Sequence, residues 1–261
     1  MWQLQALIFD VDGTLAETER DGHRVAFNQA FAAAGLDWQW SIEQYGELLE
    51  IAGGKERIRY FVDRNQPMLL ETAWANDWQA QIAELHATKT VYYRQLLQKG
   101  LIPARPGVQR LLRQARSQGV RLAIATTSAP DNVSALLETA FEPDVATWFE
   151  VIAAGDIVPA KKPAPDIYRH VLHVMNLDPN ACLVIEDSYQ GLQSARQAGL
   201  KTVVTVNNYT RHHDFTGAAL VLSNLGEPES PFEVLAGSVG NATYFDVELA
   251  NQLLNLPSKQ P

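Results

Sequence analysis

The stretch Leu4-Gln5-Ala6-Leu7-Ile8-Phe9-Asp10-Val11-Asp12-Gly13-Thr14-Leu15 decides the fold. A short apolar run that ends in two aspartates, a glycine and a threonine reads as a buried strand followed by a tight loop. Outward from it the pattern changes. From Glu17 to about Lys99 the spacing is helical: Phe27, Ala30, Phe31 and Ala34 fall at i, i+3, i+4 and i+7, and Gly35 supplies a stop. Ser41 with Gln44 resembles a helix start. The pair Gly53-Gly54 breaks that helix before Lys55-Glu56-Arg57-Ile58 opens another, and a long helix carrying Trp78, Ile82 and Leu85 runs on towards Leu97.

After Pro103 and Pro106-Gly107 the period switches again. Strands are expected at 122–125, 151–154, 182–185 and 203–206, with helices at 130–140, 165–175 and 191–198 between or after them. The alternation predicts an α/β fold, a Rossmann-like doubly wound and mostly parallel sheet, with an all-helical cap inserted after the first strand. Residues 1–16 and 100–261 form the expected core and residues 17–99 the cap. The last forty or so residues are less readable, although 207–216 is polar enough for a surface loop.

Composition narrows the function classes. With 261 residues, 46% of them apolar, the chain is long enough to bury a sizeable core. Its 21 basic and 30 acidic residues leave a formal charge of −9, without a run of like charges, which argues against a nucleic-acid partner. The single cysteine, Cys182, lies in an apolar run, excludes an intrachain disulfide and suits a reducing compartment. No signal-like leader and no long continuous apolar run is present, so the expectation is a soluble, cytoplasmic chain with no membrane partner. Oligomeric state stays open, with a monomer as the working expectation.

In an open α/β sheet, ligands gather outside the carboxyl ends of the strands. Four such ends carry polar chemistry: Asp10 and Asp12, Thr126-Thr127-Ser128, Lys161-Lys162, and Glu186-Asp187. Carboxylates converging in one crevice repel each other unless a cation or a proton neutralises them. A hard divalent ion, Mg2+, held by Asp10 and Asp187 with Asp12 and Glu186 as further candidates, fits this set better than any soft metal. One aspartate can then attack a phosphoryl group, and Asp10 fits that role. Asp12 is placed to protonate the leaving oxygen and later to take a proton from water. Gly13 would let the backbone approach the phosphate, with Thr14 and the loop amides cradling it. The Thr126 hydroxyl and the Lys162 ammonium would stabilise charge on the equatorial oxygens. Thr127 is a candidate for the same anion or, like Ser128, a structural loop residue.

Each of these residues has a plainer reading. The D-V-D-G string alone is also a turn after a strand, Thr126 a helix cap, and Lys161-Lys162 a solvated pair in which Pro163 favours Lys162. His86, His170 and His173 read as helix-surface histidines. Trp38, Trp40, Trp74 and Trp78 read as packing residues of the cap.

Asp10 to Leu15 (D-V-D-G-T-L), Thr126, Lys162 to Tyr168 (K-P-A-P-D-I-Y) and Glu186 to Leu192 (E-D-S-Y-Q-G-L) resemble the four motifs of the haloacid dehalogenase-like superfamily, in order and spacing, from residue 4 to about 206. The resemblance implies Asp10 as nucleophile, Asp12 as acid and base, Thr126 and Lys162 at the phosphate, and Asp187 with Glu186 at the metal. The insert resembles the lid of the β-phosphoglucomutase-like subgroup. Its stretches Glu17 to Asn28, Ala34 to Trp38 and Tyr45 to Ile58 are similar to the CbbY-type sugar-phosphate phosphatases. That likeness implies a sugar bisphosphate partner, xylulose 1,5-bisphosphate, converted to xylulose 5-phosphate. A second anion site is then needed. Lys55 and Arg57, beside Gly53-Gly54 at a helix start, are the leading candidates, with Glu17, His23, Tyr45 and Lys89 as further contacts to the sugar or its distal phosphate.

The rival activities are a phosphomutase, which would return the phosphoryl group to the other end of the sugar, and a carbon–halogen hydrolase, which has no need of Asp12 or the Glu186-Asp187 pair. A signalling receiver domain shares the aspartates, threonine and lysine, but not their order or the helical insert. A catalytically dead binding module is the remaining alternative, and every expected catalytic residue is present.

Overall fold

The computed structural model describes residues 2–51, 53–65 and 77–256. Strand β1 (Ala6–Phe9) comes first, followed by helices α1 (Arg24–Ala33), α2 (Ile42–Leu48), α3 (Gly54–Asn65) and α4 (Trp78–Gln98). The chain then alternates through α5 (Val108–Ser117), β2 (Arg121–Thr126), α6 (Pro130–Ala140), β3 (Phe149–Ala154), α7 (Asp166–Met175), β4 (Cys182–Glu186), α8 (Tyr189–Gln197) and β5 (Lys201–Thr205). It closes with β6 (Leu220–Leu222), β7 (Val234–Ala236) and α9 (Val247–Asn255). Two compact units result, one of Met1–Glu17 with Pro103–Pro261 and one of Thr18–Ile102.

The first unit is the expected doubly wound sheet. Its strand order is β3-β2-β1-β4-β5-β6-β7, parallel throughout except for β7, which runs antiparallel to β6. The order reverses beside β1, between β2 and β4, and that switch point decides where chemistry can sit. Phe9, the last residue of β1, is in register with Ile124 of β2 and Ile185 of β4. Asp10, Thr126 and Glu186 therefore emerge at the same edge of three neighbouring strands. Small residues bring helix and sheet together: Ala6, Ala123, Ala125 and Ala153 share one buried cluster with Ile167, Tyr168, Val171 and Met175 of α7. Cys182 belongs to it as packing, and burial, aided by the Asp178 carboxylate, pushes its thiol up to about 12.

The strands match the expected ones to within a residue or two. Helix α5 and the last three elements were not expected. The signal for α5 was available, since Val108, Leu111, Leu112 and Ala115 are its buried stripe. Strands β6 and β7 are three residues each, too short to show a period. Among the described residues, no helix is long and apolar enough to cross a membrane.

In the second unit all regular structure among the described residues is helical. Ser41 caps α2 as expected, its hydroxyl accepting from the Gln44 amide at 3.1 Å. The core is aromatic: Phe27, Phe31, Trp38, Trp40, Tyr45 and Phe61 pack with ring centroids 4.8 to 6.1 Å apart. Trp38 and Trp40 thus pack the cap, the Arg59 guanidinium lies 3.9 Å from the Trp78 ring, and Trp74 falls outside the described residues. The unit's edges differ a little from the sequence expectation. Ile102 is buried and sits where a side chain on Gly22 would meet it, whereas Glu17 is ion-paired with Arg105 of the first unit.

Asn28 fastens the connection between α1 and α2. Its side chain accepts from the Trp40 amide at 2.8 Å and donates to the Trp40 carbonyl at 3.0 Å, filling both backbone groups with one residue. Asn28→Ala is expected to cost about 1–3 kcal/mol, because it leaves the Trp40 amide without an acceptor and the Trp40 carbonyl with only the Arg24 guanidinium at 3.3 Å. Urea unfolding of the variant checks this, and an unchanged midpoint would refute the fastening role.

Candidate active site

The Lys162 ammonium stands at the centre of the strand-end crevice. It donates to Asp10 Oδ1 at 2.7 Å, to Glu186 Oε1 at 2.6 Å and to the Ala125 carbonyl at 2.9 Å, so all three of its donors are used. Burial alone would lower its pKa, but the Asp10 and Glu186 carboxylates outweigh that and hold it well above its ordinary value. Lys161 takes no part, being exposed and paired with Asp156 at 2.9 Å. The proline after Lys162 marked the right member of the pair.

Glu186 is fully buried, and both of its oxygens are engaged by protein donors. Oε1 accepts from Lys162 and from the Tyr168 hydroxyl at 2.8 Å; Oε2 accepts from the amides of Asp187 and Ser188 and from the Ser188 hydroxyl. A side chain on Gly191 would collide with this carboxylate, which explains a glycine in the first turn of α8. Its oxygens orient Lys162 and the start of α8, and it is also one of the three buried carboxylates that the sequence placed at the metal and the structure brings together.

Asp10, Glu186 and Asp187 each place a carboxylate oxygen within 4.8 Å of the others, all three buried. Such crowding disfavours three negative charges. Burial, opposed by Lys162 and reinforced by Glu186 and Asp12, raises Asp10 from 3.8 to about 7. Burial with Glu186 and Asp10 raises Asp187 well above its ordinary value, against the pull of Arg105 and Asn207. A donor set of hard carboxylate oxygens that resists ionising alone suits a hard divalent cation. Asp12 is half-buried, and its side chain is not one of these three carboxylates.

In the loop after β1 the amides of Gly13, Thr14 and Leu15 donate to carbonyls at Ala16, Val11 and Val11. The surroundings of Gly13 require a glycine. Its φ is +85°, and a Cβ there would lie 2.5 Å from both Asn207 Nδ2 and Asp187 Oδ2. Asn207, which the sequence gave no cause to single out, donates to Asp187 Oδ2 at 2.6 Å. Arg105 was missed as well; its buried guanidinium reaches the Gly13 carbonyl and pairs with Glu17 at 3.1 Å. Glu17, expected at the sugar, is held in that pair. Thr126 is buried at the end of β2, its hydroxyl accepting from the Ser128 amide at 3.1 Å, and Thr127 is exposed.

The second unit gathers most of the cap candidates into a cationic cluster. Lys89 is buried, with its ammonium 2.9 Å from His23 Nδ1 and 5.0 Å from the centre of the Phe27 ring. Lysine can only donate, so that ring nitrogen is the acceptor. Burial first, then Lys89, Arg57 and His86, hold His23 well below its ordinary value. Arg57 donates to the Ile51 carbonyl and to the Tyr45 hydroxyl, which donates to Glu19 at 2.6 Å. Lys55 is exposed. His86 is half-buried rather than on the surface, next to Gly54, where a Cβ would lie 2.6 Å from its Nε2. Burial, with Lys89, Lys55 and Arg57, lowers it to about 4.

Known proteins match this chain over most of its length. Residues 4–199 fit the model of haloacid dehalogenase-like hydrolases. Protein CbbY of Rhodobacter capsulatus is 50% identical over 216 residues, 83% of this chain and 91% of that protein. The crystal structure of CbbY from Rhodobacter sphaeroides in complex with phosphate is 43% identical, with a TM-score of 0.71 over 85% of this chain and 95% of that one. A mutant of the same protein, in complex with xylulose-(1,5)bisphosphate, gives 42% identity and a TM-score of 0.70 over the same shares. With the family model and these relatives covering most of its length, the chain belongs to the haloacid dehalogenase-like hydrolase family, as one of its phosphatases.

Proposed function

We propose that this chain is a magnesium-dependent sugar-phosphate phosphatase that works through an aspartyl-phosphate on Asp10. Its proposed substrate is xylulose 1,5-bisphosphate, hydrolysed to xylulose 5-phosphate and inorganic phosphate. The observation that carries the reading is the Lys162 ammonium bonded to Asp10 and Glu186 in a crevice shared with Asp187. That arrangement keeps a nucleophilic carboxylate beside a fixed positive charge, where an incoming phosphate needs both. The substrate assignment rests on the Rhodobacter sphaeroides relative that binds xylulose-(1,5)bisphosphate and on the cap cations. The cluster of His23, Lys55, Arg57, His86 and Lys89 is suited to a second anion.

Asp10 Oδ attacks phosphorus, and the bond from phosphorus to the C1 oxygen breaks. Asp12 gives its proton to that oxygen, so the sugar leaves as an alcohol. A water then attacks the aspartyl-phosphate and passes a proton back to Asp12, which restores Asp10 and frees phosphate. As Asp10 becomes esterified, the Lys162 donor that held its carboxylate turns to an equatorial oxygen, beside the Thr126 hydroxyl. Bound through Asp10 and Asp187, magnesium supplies charge neutralisation to the carboxylates and the phosphoryl group.

Asp10→Asn is expected to abolish phosphate release and the acid-stable phosphoryl adduct that rapid quench traps in the parent. Turnover persisting in that variant would end the covalent reading. Stoichiometric phosphate release from the bisphosphate separates hydrolysis from phosphoryl return to the same sugar.

Because Asp10 is held near 7, acidification opposes the ion: below that value a proton must leave before the carboxylate can bind it. Magnesium affinity is expected to fall as pH drops, with more protons released per ion at roughly pH 6 than at roughly pH 8. Calorimetry in buffers of different ionisation heat measures this directly, and pH-independent binding counts against the assignment of Asp10 as a ligand.

Lys55→Ala is expected to raise KM for the bisphosphate about tenfold while leaving that for a pentulose monophosphate unchanged. Equal effects on both substrates would show that Lys55 does not select for the second phosphate.

A further inference from the structure

The active-site residues described so far do not explain Arg105. Its side chain is about 5% exposed, and every one of its five N–H donors has an acceptor. Nε bonds Glu17 Oε1 at 3.1 Å. One terminal nitrogen donates to the Gly13 carbonyl and, at 2.9 Å, to that of Thr205. The other donates to the carbonyls of Val206 at 2.5 Å and Ser223 at 3.0 Å.

These acceptors are not scattered. Gly13 lies in the loop that carries Asp10 and Asp12, and Val206 directly precedes Asn207, whose side chain holds Asp187 at 2.6 Å. Gly13 also sits so close to Asn207 and Asp187 that a single Cβ would collide with both. One guanidinium therefore sets the spacing between the nucleophile loop and the segment that orients Asp187. The forked planar donor is what the task demands: four backbone carbonyls and a carboxylate must be met from one buried point.

We propose that Arg105 is a positioning residue for the magnesium site, holding the Gly13 peptide and the Asn207–Asp187 pair in register. This rests on the magnesium-dependent reading above. Arg105 acts through Gly13 and Asn207. Lysine at this position keeps the charge but has three donors, so at least two of the five acceptors lose their partner.

Arg110 provides the control. It also pairs with a carboxylate, Glu227, and donates to the carbonyls of Leu225, Gly226 and Phe245, but none of these leads to the site. Magnesium binding to the intact chain, without substrate, is measured by calorimetry for the parent, R105K and R110K, with thermal unfolding alongside. R105K is expected to bind the ion roughly 10- to 100-fold more weakly, and R110K about as well as the parent while losing stability. A folded R105K that binds magnesium as the parent does would overturn the proposal.

If R105K does not fold, the decision passes to the unmutated protein, where the Nε–Hε signals of both arginines are followed by NMR during addition of magnesium. Arg105 is expected to shift and Arg110 to stay in place; an unmoved Arg105 signal also overturns the proposal. A parent that takes up no magnesium rejects the metal-dependent reading itself. A parent that binds it beside an indifferent R105K rejects only the role of Arg105.

Discussion

Three carboxylates and one ammonium confined to a buried crevice impose the constraint on which the rest of the first unit depends. Asp10, Glu186 and Asp187 lie close enough to repel strongly, and Lys162 relieves only part of that repulsion. Burial first, and the neighbouring carboxylates after it, raise Asp10 and Asp187 above their ordinary values. Such crowding of like charge in a buried crevice marks a site arranged for chemistry rather than for stability.

The fold supplies the means of bringing like charges together. Parallel strands with matched registers end at one edge, and the reversal of strand order beside β1 opens a gap there. Two glycines then permit approaches that a side chain would forbid, Gly13 against Asp187 and Asn207, and Gly191 against Glu186. Stability and function pull in opposite directions at these points. The apolar cluster between α7 and the sheet, with Cys182 and the small alanines in it, stabilises the unit and offsets the crowding of charge at that edge.

Most of this architecture was legible in the sequence where period and length agree. The strands before Asp10 and Glu186 are continuous apolar runs, and the cap helices announce themselves by spacing and by Ser41 and the glycine pair. Elements of three residues in the C-terminal part carry no period, so β6 and β7 were illegible. Among site residues, those that follow strands were found because topology sends them to the edge. Asn207 and Arg105 escaped for a different reason. Each acts through partners distant in sequence, and neither asparagine nor arginine in a loop is unusual by composition. His86 was misread because helical spacing cannot say that Gly54, from another helix, leaves room for its ring.

Lysine and arginine divide the cationic work of the first unit according to their chemistry. Lys162 is a compact point charge with three donors, used where charge must act on a carboxylate and on whatever anion enters beside it. Arg105 is a rigid fork with five donors, used where many backbone carbonyls need fixed positions and no anion has to be captured. Exchanging the two types would fail in both places. Arginine at 162 would have to seat a planar group among Asp10, Glu186 and the Ala125 carbonyl, which now converge on one nitrogen. Lysine at 105 would leave buried carbonyls without donors. The chemistry of the crevice therefore depends on two cations of the same formal charge, and on their not being interchangeable.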